Sequence, residues 1–496
     1  MNRQIARLAL VALGLIAALI VATTYWQTWA AAGLADRQDN EIQRVAQFSI
    51  KRGLIRAADG TILASNRKRR VNGQTLYFRR YPQGGLYSHV VGYSTQSRAR
   101  AGLEKSMNDY LTGSNANLDT VLKTTLDRLR GTTIKGNDVW LTLRPSAQRV
   151  AMQQLRGQCG SAVALDTQTG AVLVMASRPT YDPNLVERNF GRVNNIRSNC
   201  RPAAPLLNRA TDGLFTPGST FKVITTAAAL DSGRYTIDSR FVDRGYCIEY
   251  GKRVNNFADQ GGPEVFGSVD FLQALEHSIN AIFCDIGKAI GAKAILDKAK
   301  AFGFYKDPPL ETPEDERSPS GLYKGPHLFD PTQPQFQVDP GRLAFGQERM
   351  LATPLQMAMV AAGVANHGVV MRPYVVNRVT NPNGGVVTRT KPHKYTRAMK
   401  TSTSASLTRM MEAVVEGGTG TAAQIPGVRV AGKTGTAEAG GQVNPNTTWF
   451  IAFAPADHPR YAVAVVLENQ TGAGGTTAAP IAKEILQALL AGRSNP

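Results

Sequence analysis

The spacing of hydrophobic residues changes along the chain, and its first segment is an unbroken apolar run from Leu8 to Ala22. Basic residues precede this run and aromatic residues follow it: Arg3, Arg7, Tyr25, Trp26 and Trp29. This arrangement predicts a single membrane helix with a cytoplasmic N-terminus, so that the bulk of the chain is extracytoplasmic. The alternative is a cleaved signal peptide, because the alanines at 30–32 are the small residues that a cleavage site needs.

Residues 53–113 alternate short apolar runs with turn residues. Leu54-Ile55 and Ile62-Leu63-Ala64 flank Asp59-Gly60, a pattern that predicts a β-hairpin. The residues from Arg67 to Arg70 form the densest basic run of the chain. We expect this run to be a solvated loop, with contact to anionic lipid as the alternative.

A second pattern begins near Asn137. Val139 to Leu143 is typical of a strand and Ala147 to Leu155 of a helix, and two apolar runs around the turn at Asp166 to Gly170 predict a hairpin. Three more strand patterns appear only near the end of the chain: Val428 to Thr436, Thr448 to Ala454 and Tyr461 to Leu467.

The residues between these strands have mainly helical spacing. One helix is predicted from Leu407 to Val415, and Thr353 to Gln356 is a helix-start pattern. The proline-rich stretch Pro308 to Pro340 is aperiodic and is predicted to be a long surface loop. The whole pattern predicts an α+β fold, in which an antiparallel sheet is assembled from the two ends of one domain around a helical insertion.

Length and charge narrow the function. The chain has 496 residues, enough for two or three domains, and a formal charge of +20. Such a charge favours an anionic partner, which could be nucleic acid, lipid or wall polymer. An extracytoplasmic location argues against nucleic acid as a partner and against ATP, and we expect no cofactor.

Four cysteines lie in the part predicted to be exported: Cys159, Cys200, Cys247 and Cys284. Disulfides persist outside the cytoplasm, but four cysteines allow three pairings, and buried free thiols are an equal alternative. No CxxC, HExxH or other metal-ligand spacing occurs, so no metal site is predicted.

Ser219-Thr220-Phe221-Lys222 is the first candidate for chemistry, since an apolar helical run follows it. Residues i and i+3 share a helix face, so Lys222 would stand beside Ser219 and could take its proton if it were held neutral. The same SxxK spacing arises easily by chance, and Ser65 to Lys68 repeats it without a helical run. We therefore choose the copy at Ser219.

Ser278-Ile279-Asn280 supplies a second hydroxyl for proton relay and an amide that could hold a peptide group. His277 beside it could suggest a Ser-His-Asp triad, but the chain has no GxSxG elbow. We expect His277 to be structural.

Lys433-Thr434-Gly435-Thr436 is predicted to end a strand, where a cation and a hydroxyl can bind a terminal carboxylate. Residues 427–434 also fit the GxxxxGK[ST] phosphate-loop pattern, but β-prone residues precede the lysine and another strand, not a helix, follows. Gly418-Thr419-Gly420 imitates a dinucleotide fingerprint, yet it follows a helix rather than a strand. Neither nucleotide site is expected.

The three motifs in this order resemble those of the penicillin-recognising serine transpeptidases and β-lactamases. The chain further resembles class B penicillin-binding proteins, closest to the actinobacterial penicillin-binding protein A type. That resemblance extends over these segments: Arg52-Gly53, Gly92-Tyr93, Gly102-Leu103-Glu104, Ala162 to Ser177, Tyr181 to Asn184, Phe345-Gly346-Gln347, Thr353 to Gln356 and Lys433 to Glu438.

The resemblance implies a role for each motif residue. Ser219 would attack the penultimate D-alanine carbonyl with Lys222 as its base, and Ser278 would relay a proton to the leaving D-alanine. The substrate-binding residues would be Asn280, Lys433, Thr434, Gly435 and Thr436. The backbone N–H groups of Ser219 and Thr436 would form the oxyanion hole.

The resemblance also implies an organisation and partners. We expect a membrane anchor at 1–29, a connector and small β-rich pedestal domain of the dimerisation type at 30–136, a penicillin-binding transpeptidase domain at 137–492 and a tail at 493–496. Stem peptides and β-lactams would be ligands, and a polytopic membrane glycosyltransferase would be a partner. The alternatives are a hydrolase of the same fold, either a D,D-carboxypeptidase or a β-lactamase, and a non-catalytic protein that senses or binds β-lactams.

Overall fold

The structure is a computed structural model that describes residues 2–28, 48–71, 73–114, 133–256, 258–259, 262–437 and 446–492. Most of the predicted connector lies outside these residues, as do Trp29, the alanines at 30–32, Glu438 and the tail.

The helices have these bounds: α1 Asn2–Thr28, α2 Ser88–Val91, α3 Gly102–Ser106, α4 Asn108–Thr112, α5 Pro145–Gln154, α6 Pro183–Arg188, α7 Phe190–Asn194, α8 Lys222–Asp231, α9 Phe271–Glu276, α10 Asn280–Ala301, α11 Pro334–Gln337, α12 Pro340–Ala344, α13 Pro354–Ala365, α14 Thr401–Glu416 and α15 Gly474–Ala491. Short 3₁₀ turns lie at Gly84–Leu86, Gly218–Phe221, Glu314–Glu316 and Thr421–Ala423.

The strands have these bounds: β1 Ile55–Arg56, β2 Ile62–Val71, β3 Gln74–Arg80, β4 Asp138–Leu141, β5 Cys159–Asp166, β6 Val172–Arg178, β7 Arg240–Asp243, β8 Tyr246–Glu249, β9 Lys252–Asn255, β10 Ala258–Asp259, β11 Gly262–Pro263, β12 Gly267–Asp270, β13 Gly321–Lys324, β14 His327–Leu328, β15 Met350–Leu351, β16 Val369–Met371, β17 Val376–Thr380, β18 Val386–Arg389, β19 Lys394–Arg397, β20 Ala431–Ala437, β21 Asn446–Ala454 and β22 Tyr461–Gln470.

Helix α1 contains the predicted membrane segment. Its stretch from Ala6 to Tyr25 has a mean hydropathy of 2.3, and none of it is buried against the rest of the chain. Among the described residues it is the one helix long and apolar enough to cross a membrane.

The N-terminal strands β1, β2 and β3 join three later strands in a six-stranded sheet, in the order β18-β17-β4-β1-β2-β3. The predicted hairpin is confirmed, because Ile55 pairs with Ala64 and Gly60 makes the turn at a φ of +89°. The solvated loop predicted at Arg67 to Arg70 is wrong, since these residues continue β2 and pair with β3. Their side chains are exposed while their backbone groups are paired, so a run of charge did not mean irregular backbone.

The second large sheet has the antiparallel order β20-β21-β22-β5-β6, so strands from the two ends of the domain do meet as predicted. Side chains alternate across it. Ala162 and Ala164 face a core that includes α5 and α15, whereas Val163 and Leu165 face the larger core that includes α8, α10 and α13. The strand carrying Lys433 thus forms one edge of a sheet covered on both faces.

The insertion departs from the prediction at Pro308 to Pro340. This stretch is not a long surface loop: it contains β13 and β14, which join β15 in a three-stranded sheet, and Leu322 is fully buried. The predicted helix start at Thr353 is confirmed, because Thr353 Oγ1 accepts a hydrogen bond from Gln356 N at 3.2 Å.

The cysteines form two disulfides, Cys159–Cys200 and Cys247–Cys284, so the free-thiol alternative is wrong. The second bond joins β8 to the second turn of α10, close to Asn280. It therefore links α10, whose first residue Asn280 lines the cleft described next, to β8, the strand that pairs with β9.

Candidate active site

Ser219 lies in the 3₁₀ turn that leads directly into α8, at a cleft of about 780 Å³. Glycines let three backbone segments meet here. Gly218 has a φ of +52°, and a Cβ at this position would lie 3.0 Å from the Thr436 carbonyl oxygen. A Cβ on Gly346 would lie only 2.4 Å from the Gly218 carbonyl oxygen, so neither glycine can be replaced without moving the turn.

Lys222 begins α8 one turn after Ser219, and its side chain is fully buried. Its Nζ lies 2.6 Å from the Ser278 carbonyl oxygen, 2.7 Å from Asn280 Oδ1 and 3.2 Å from Ser278 Oγ. The first two partners only accept hydrogen bonds, whereas the hydroxyl can also donate. A neutral amine would therefore satisfy both carbonyl oxygens with its two N–H groups and keep its lone pair for a hydroxyl proton.

The surroundings of Lys222 favour that neutral form. Burial is the main cause that lowers its pKa well below the usual value, and the positive charge of Lys433 lowers it further. Within the described residues, no carboxylate forms an ion pair with either lysine. A buried amine without a counter-charge is a suitable proton acceptor.

Ser278 and Asn280 lie where α9 ends and α10 begins. Ser278 has a φ of +59°, in the left-handed region that residues with a Cβ rarely adopt, and Asn280 is the first residue of α10. This tight junction places the Ser278 hydroxyl and the Asn280 amide against the same Lys222 amine. His277 stacks on Phe266 with ring centroids 5.0 Å apart, and among the described residues its ring forms no hydrogen bond with a serine or a carboxylate.

The opposite wall of the cleft is strand β20. Lys433 is fully buried, and burial lowers its pKa to about 7. Thr434 and Thr436 line the cleft, while Gly435 permits close packing because a Cβ there would lie 2.8 Å from the Pro217 carbonyl oxygen. Since β20 continues to Ala437 and pairs with β21 along its whole length, Lys433 is followed by strand and not by the helix of a phosphate loop.

The structure brings all the predicted site residues together. One cleft is lined by five of them: Ser219, Ser278, Asn280, Thr434 and Thr436. Lys222 and Lys433 are buried beside this cleft, and Gly435 lies between Thr434 and Thr436 on β20. The prediction that β20 begins at Val428 is wrong by three residues, because the strand begins at Ala431 and the motif lies in its middle.

Sequence reasoning missed three polar residues of the cleft region. Thr419 was considered only as part of a false nucleotide motif, yet its Oγ1 lies 2.7 Å from Thr434 Oγ1. Asn256 lines the cleft beside Asn280 and forms a buried hydrogen-bonded pair with Asp243. No local sequence pattern identifies these residues, because each contacts a partner that is distant in sequence.

A serine at a helix start, a buried unpaired lysine and a strand-edge lysine around one cleft define a serine acyl-transfer enzyme of the penicillin-recognising fold. The chain belongs to the penicillin-binding protein transpeptidase family. Residues 160–487 match the model of the penicillin binding protein transpeptidase domain, and residues 52–139 match that of the penicillin binding protein A dimerisation domain. The family predicted from the sequence is confirmed.

Full-length relatives and solved structures agree with this assignment. The chain is 34% identical to the peptidoglycan D,D-transpeptidase PbpA of Mycolicibacterium smegmatis, with 99% of each chain covered. The PbpA of Mycobacterium tuberculosis is also 34% identical, over 99% of this chain and 100% of that one. The ceftriaxone acyl-enzyme complex of penicillin-binding protein A from M. tuberculosis superposes with a TM-score of 0.79, at 31% identity, covering 90% of this chain and 100% of that one.

Proposed function

We propose that this protein is a peptidoglycan D,D-transpeptidase that forms an acyl-enzyme at Ser219 and is trapped there by β-lactams. The observation that carries the proposal is Lys222, a fully buried amine one helical turn from Ser219 with no carboxylate partner among the described residues. The names of its relatives, D,D-transpeptidases, and the acyl-enzyme complexes of its structural neighbours support the same reaction.

In the proposed first step, Ser219 Oγ attacks the penultimate D-alanine carbonyl carbon of a stem peptide. Its proton passes to the neutral Lys222 amine, and the backbone N–H groups of Ser219 and Thr436 stabilise the oxyanion. Collapse of this intermediate breaks the bond to the terminal D-alanine, whose amine takes the proton through Ser278. An amine of a neighbouring stem peptide then attacks the acyl carbon, its proton passes by way of Lys222 to Ser219 Oγ, and the ester bond to Ser219 breaks.

The substrate is held from both walls in this proposal. Asn280 binds the donor peptide amide, while Lys433, Thr434 and Thr436 bind the terminal carboxylate and Gly435 leaves room for the substrate backbone. A β-lactam presents a carbonyl and a carboxylate in a similar arrangement and would occupy the same positions.

We further propose the cellular arrangement that the sequence predicts. Residues 1–29 would anchor the enzyme in the cytoplasmic membrane, 30–136 would hold the transpeptidase domain 137–492 outside it, and 493–496 would be a tail. The anchor is supported by α1, and the pedestal by the match over residues 52–139. Glycan strands would come from a polytopic membrane glycosyltransferase partner.

The experiment is labelling with fluorescent penicillin, followed by mass spectrometry of the adduct. We expect the full-length protein in detergent to be labelled at Ser219, and Ser219→Ala to lose labelling by more than about 10⁴-fold because no nucleophile remains. Ser65→Ala is the matched control, since Ser65 begins the second SxxK sequence, and it should label normally. Labelling retained in Ser219→Ala would rule out this nucleophile.

The same labelled protein distinguishes a transpeptidase from a β-lactamase of the same fold. We expect the penicillin adduct to persist for many minutes, because in the proposed reaction an amine, and not water, releases the acyl group from Ser219. Release of the adduct within seconds would instead favour a β-lactamase.

A further inference from the structure

We propose, on the basis of the transpeptidase function above, that Asp243 and Asn256 are positioning residues that fix the Ser278–Asn280 segment and, through it, the Lys222 amine. Neither residue belongs to the three sequence motifs. Asn256 follows β9 and lines the cleft beside Asn280, whereas Asp243 ends β7 and contacts Asn256 without lining the cleft itself.

Asp243 is 2% exposed, and its carboxylate accepts four hydrogen bonds. Two come from the backbone, from Gly245 N at 2.9 Å and from Phe266 N at 2.8 Å. The other two come from Asn256 Nδ2, at 2.9 and 3.1 Å. Within the described residues this carboxylate has no ion pair, so its burial depends on those donors.

Asn256 links the Asp243 carboxylate to the start of α10. Its Oδ1 accepts a hydrogen bond from Ala281 N at 2.9 Å, while its Nδ2 also donates to the Glu264 carbonyl oxygen at 2.9 Å. The first N–H groups of a helix lack partners within the helix. Ile279, the residue before α10, offers no capping side chain, so Asn256 caps this helix from outside.

The connection to the reacting groups is continuous. The Asn255 carbonyl oxygen accepts a hydrogen bond from Asn280 Nδ2 at 3.2 Å, and Asn280 Oδ1 accepts one from Lys222 Nζ at 2.7 Å. One segment, Asn255-Asn256, therefore holds both the backbone and the side chain at the start of α10. The disulfide Cys247–Cys284 joins β8, the strand paired with β9, to α10 one turn further along.

This connection matters because the segment that it holds is strained. Ser278 adopts a left-handed conformation, which persists only where its surroundings impose it. If Asn256 were lost, the α9–α10 junction could relax, and the Lys222 amine would lose the partners that orient it. Displacement of a reacting group by about 1 Å can cost about 10²-fold in rate.

The two walls of the cleft predict which kinetic constant will change. The pair supports the Ser278–Asn280 wall, whereas Lys433, Thr434 and Thr436 lie on β20, which is held by its pairing with β21. Carboxylate recognition on β20 should therefore survive the loss of Asn256. Because Asn280 also contributes to binding, the acylation rate constant should fall by much more than the dissociation constant of the non-covalent penicillin complex rises.

The test uses the full-length protein in detergent and resolves these two constants by stopped-flow penicillin acylation. We expect Asn256→Ala to reduce the acylation rate constant by about 10- to 100-fold, with the dissociation constant within about threefold. Gln148→Ala is the matched control. Gln148 lies on α5, away from the cleft, and its buried side-chain amide makes three hydrogen bonds with the backbone of Leu86 and Met175. It should lower the melting temperature without changing either constant.

Asn256→Asp keeps the acceptor for Ala281 N but sets a carboxylate against Asp243, and it serves if the alanine variant does not fold. Protonation of one of the two acids would restore a hydrogen bond between them, so its defect relative to wild type should shrink as the pH falls. A wild-type acylation rate in Asn256→Ala, or equal losses in both constants, would overturn the positioning role. Failure of wild type to acylate at Ser219 would instead overturn the proposed function.

Discussion

Two regions of this molecule bury cationic side chains, and they differ in whether a carboxylate pairs with them. In the N-terminal region, Arg52 and Arg79 both contact the buried carboxylate of Glu104, at 2.9 and 2.5 Å. In the cleft, Lys222 and Lys433 are equally buried, but no carboxylate pairs with them in the described part of the chain. The contrast separates the effect of burial from the effect of a partner.

The pKa of each buried group depends on whether it has an oppositely charged partner. Burial lowers the pKa of Arg52 to about 10 although Glu104 opposes the shift, so this guanidinium stays charged at neutral pH. Burial raises the pKa of Glu104, but Arg79 and Arg52 together outweigh it and the net shift is downward. Without such a partner, burial moves the pKa of Lys222 well below its usual value. A paired buried cation is thus suited to fix a fold, and an unpaired one to accept a proton.

Exchange of one buried cation for the other type should have the largest effect. We expect Lys222→Arg to lower the acylation rate by about 10³-fold or more, because a guanidinium cannot give up its proton to act as a base. The measurement is penicillin acylation followed by stopped flow. Arg52→Lys is the matched exchange, and it should leave the rate within about twofold. Near-normal acylation by Lys222→Arg would remove Lys222 from the role of base.

Removal of the partner in the N-terminal region should affect stability and not chemistry. Glu104→Gln leaves two buried guanidinium groups without a counter-charge, and we expect it to lower the free energy of unfolding by about 3 kcal/mol. Denaturant unfolding measures this loss, and the acylation rate of the folded variant should be unchanged.

The control for this variant is Glu314→Gln. Glu314 is 93% exposed and pairs with Arg317 at 3.9 Å, so its loss should cost less than about 0.5 kcal/mol. Equal effects from the two substitutions would contradict the view that burial makes the Glu104 pair structurally important.

Local rules made much of the cleft predictable. Spacing of three residues placed Ser219 and Lys222 on one helical turn, and period-two alternation identified the strands that carry and flank Lys433. The arrival of Ser278 and Lys433 at the same cleft came from resemblance to a family, because nothing in their spacing requires it.

What could not be predicted depends on contacts between distant residues. Asn256 caps a helix that begins 24 residues later, and β17 joins the N-terminal sheet by pairing with β4. The disulfide pairing was open for the same reason. Arg67 to Arg70 shows the converse error: their charge suggested a loop, but pairing with β3 determined the backbone.

The smallest expected effect is also the most direct test of the contrast between the two regions. The pKa of Lys433 is about 7 in the fold, and a lysine in an unfolded chain titrates near 10.4. Between these values the unfolded chain binds a proton that the folded chain does not, so Lys433 makes stability rise with pH. The variant Lys433→Met has no titratable group at this position, so this contribution to the pH dependence is absent from it. Between pH 8 and 9, the free energy of unfolding of wild type should therefore increase by about 1.4 kcal/mol relative to the variant. A constant difference over that interval would mean that Lys433 keeps its proton despite burial, and that an unpaired buried cation need not become neutral.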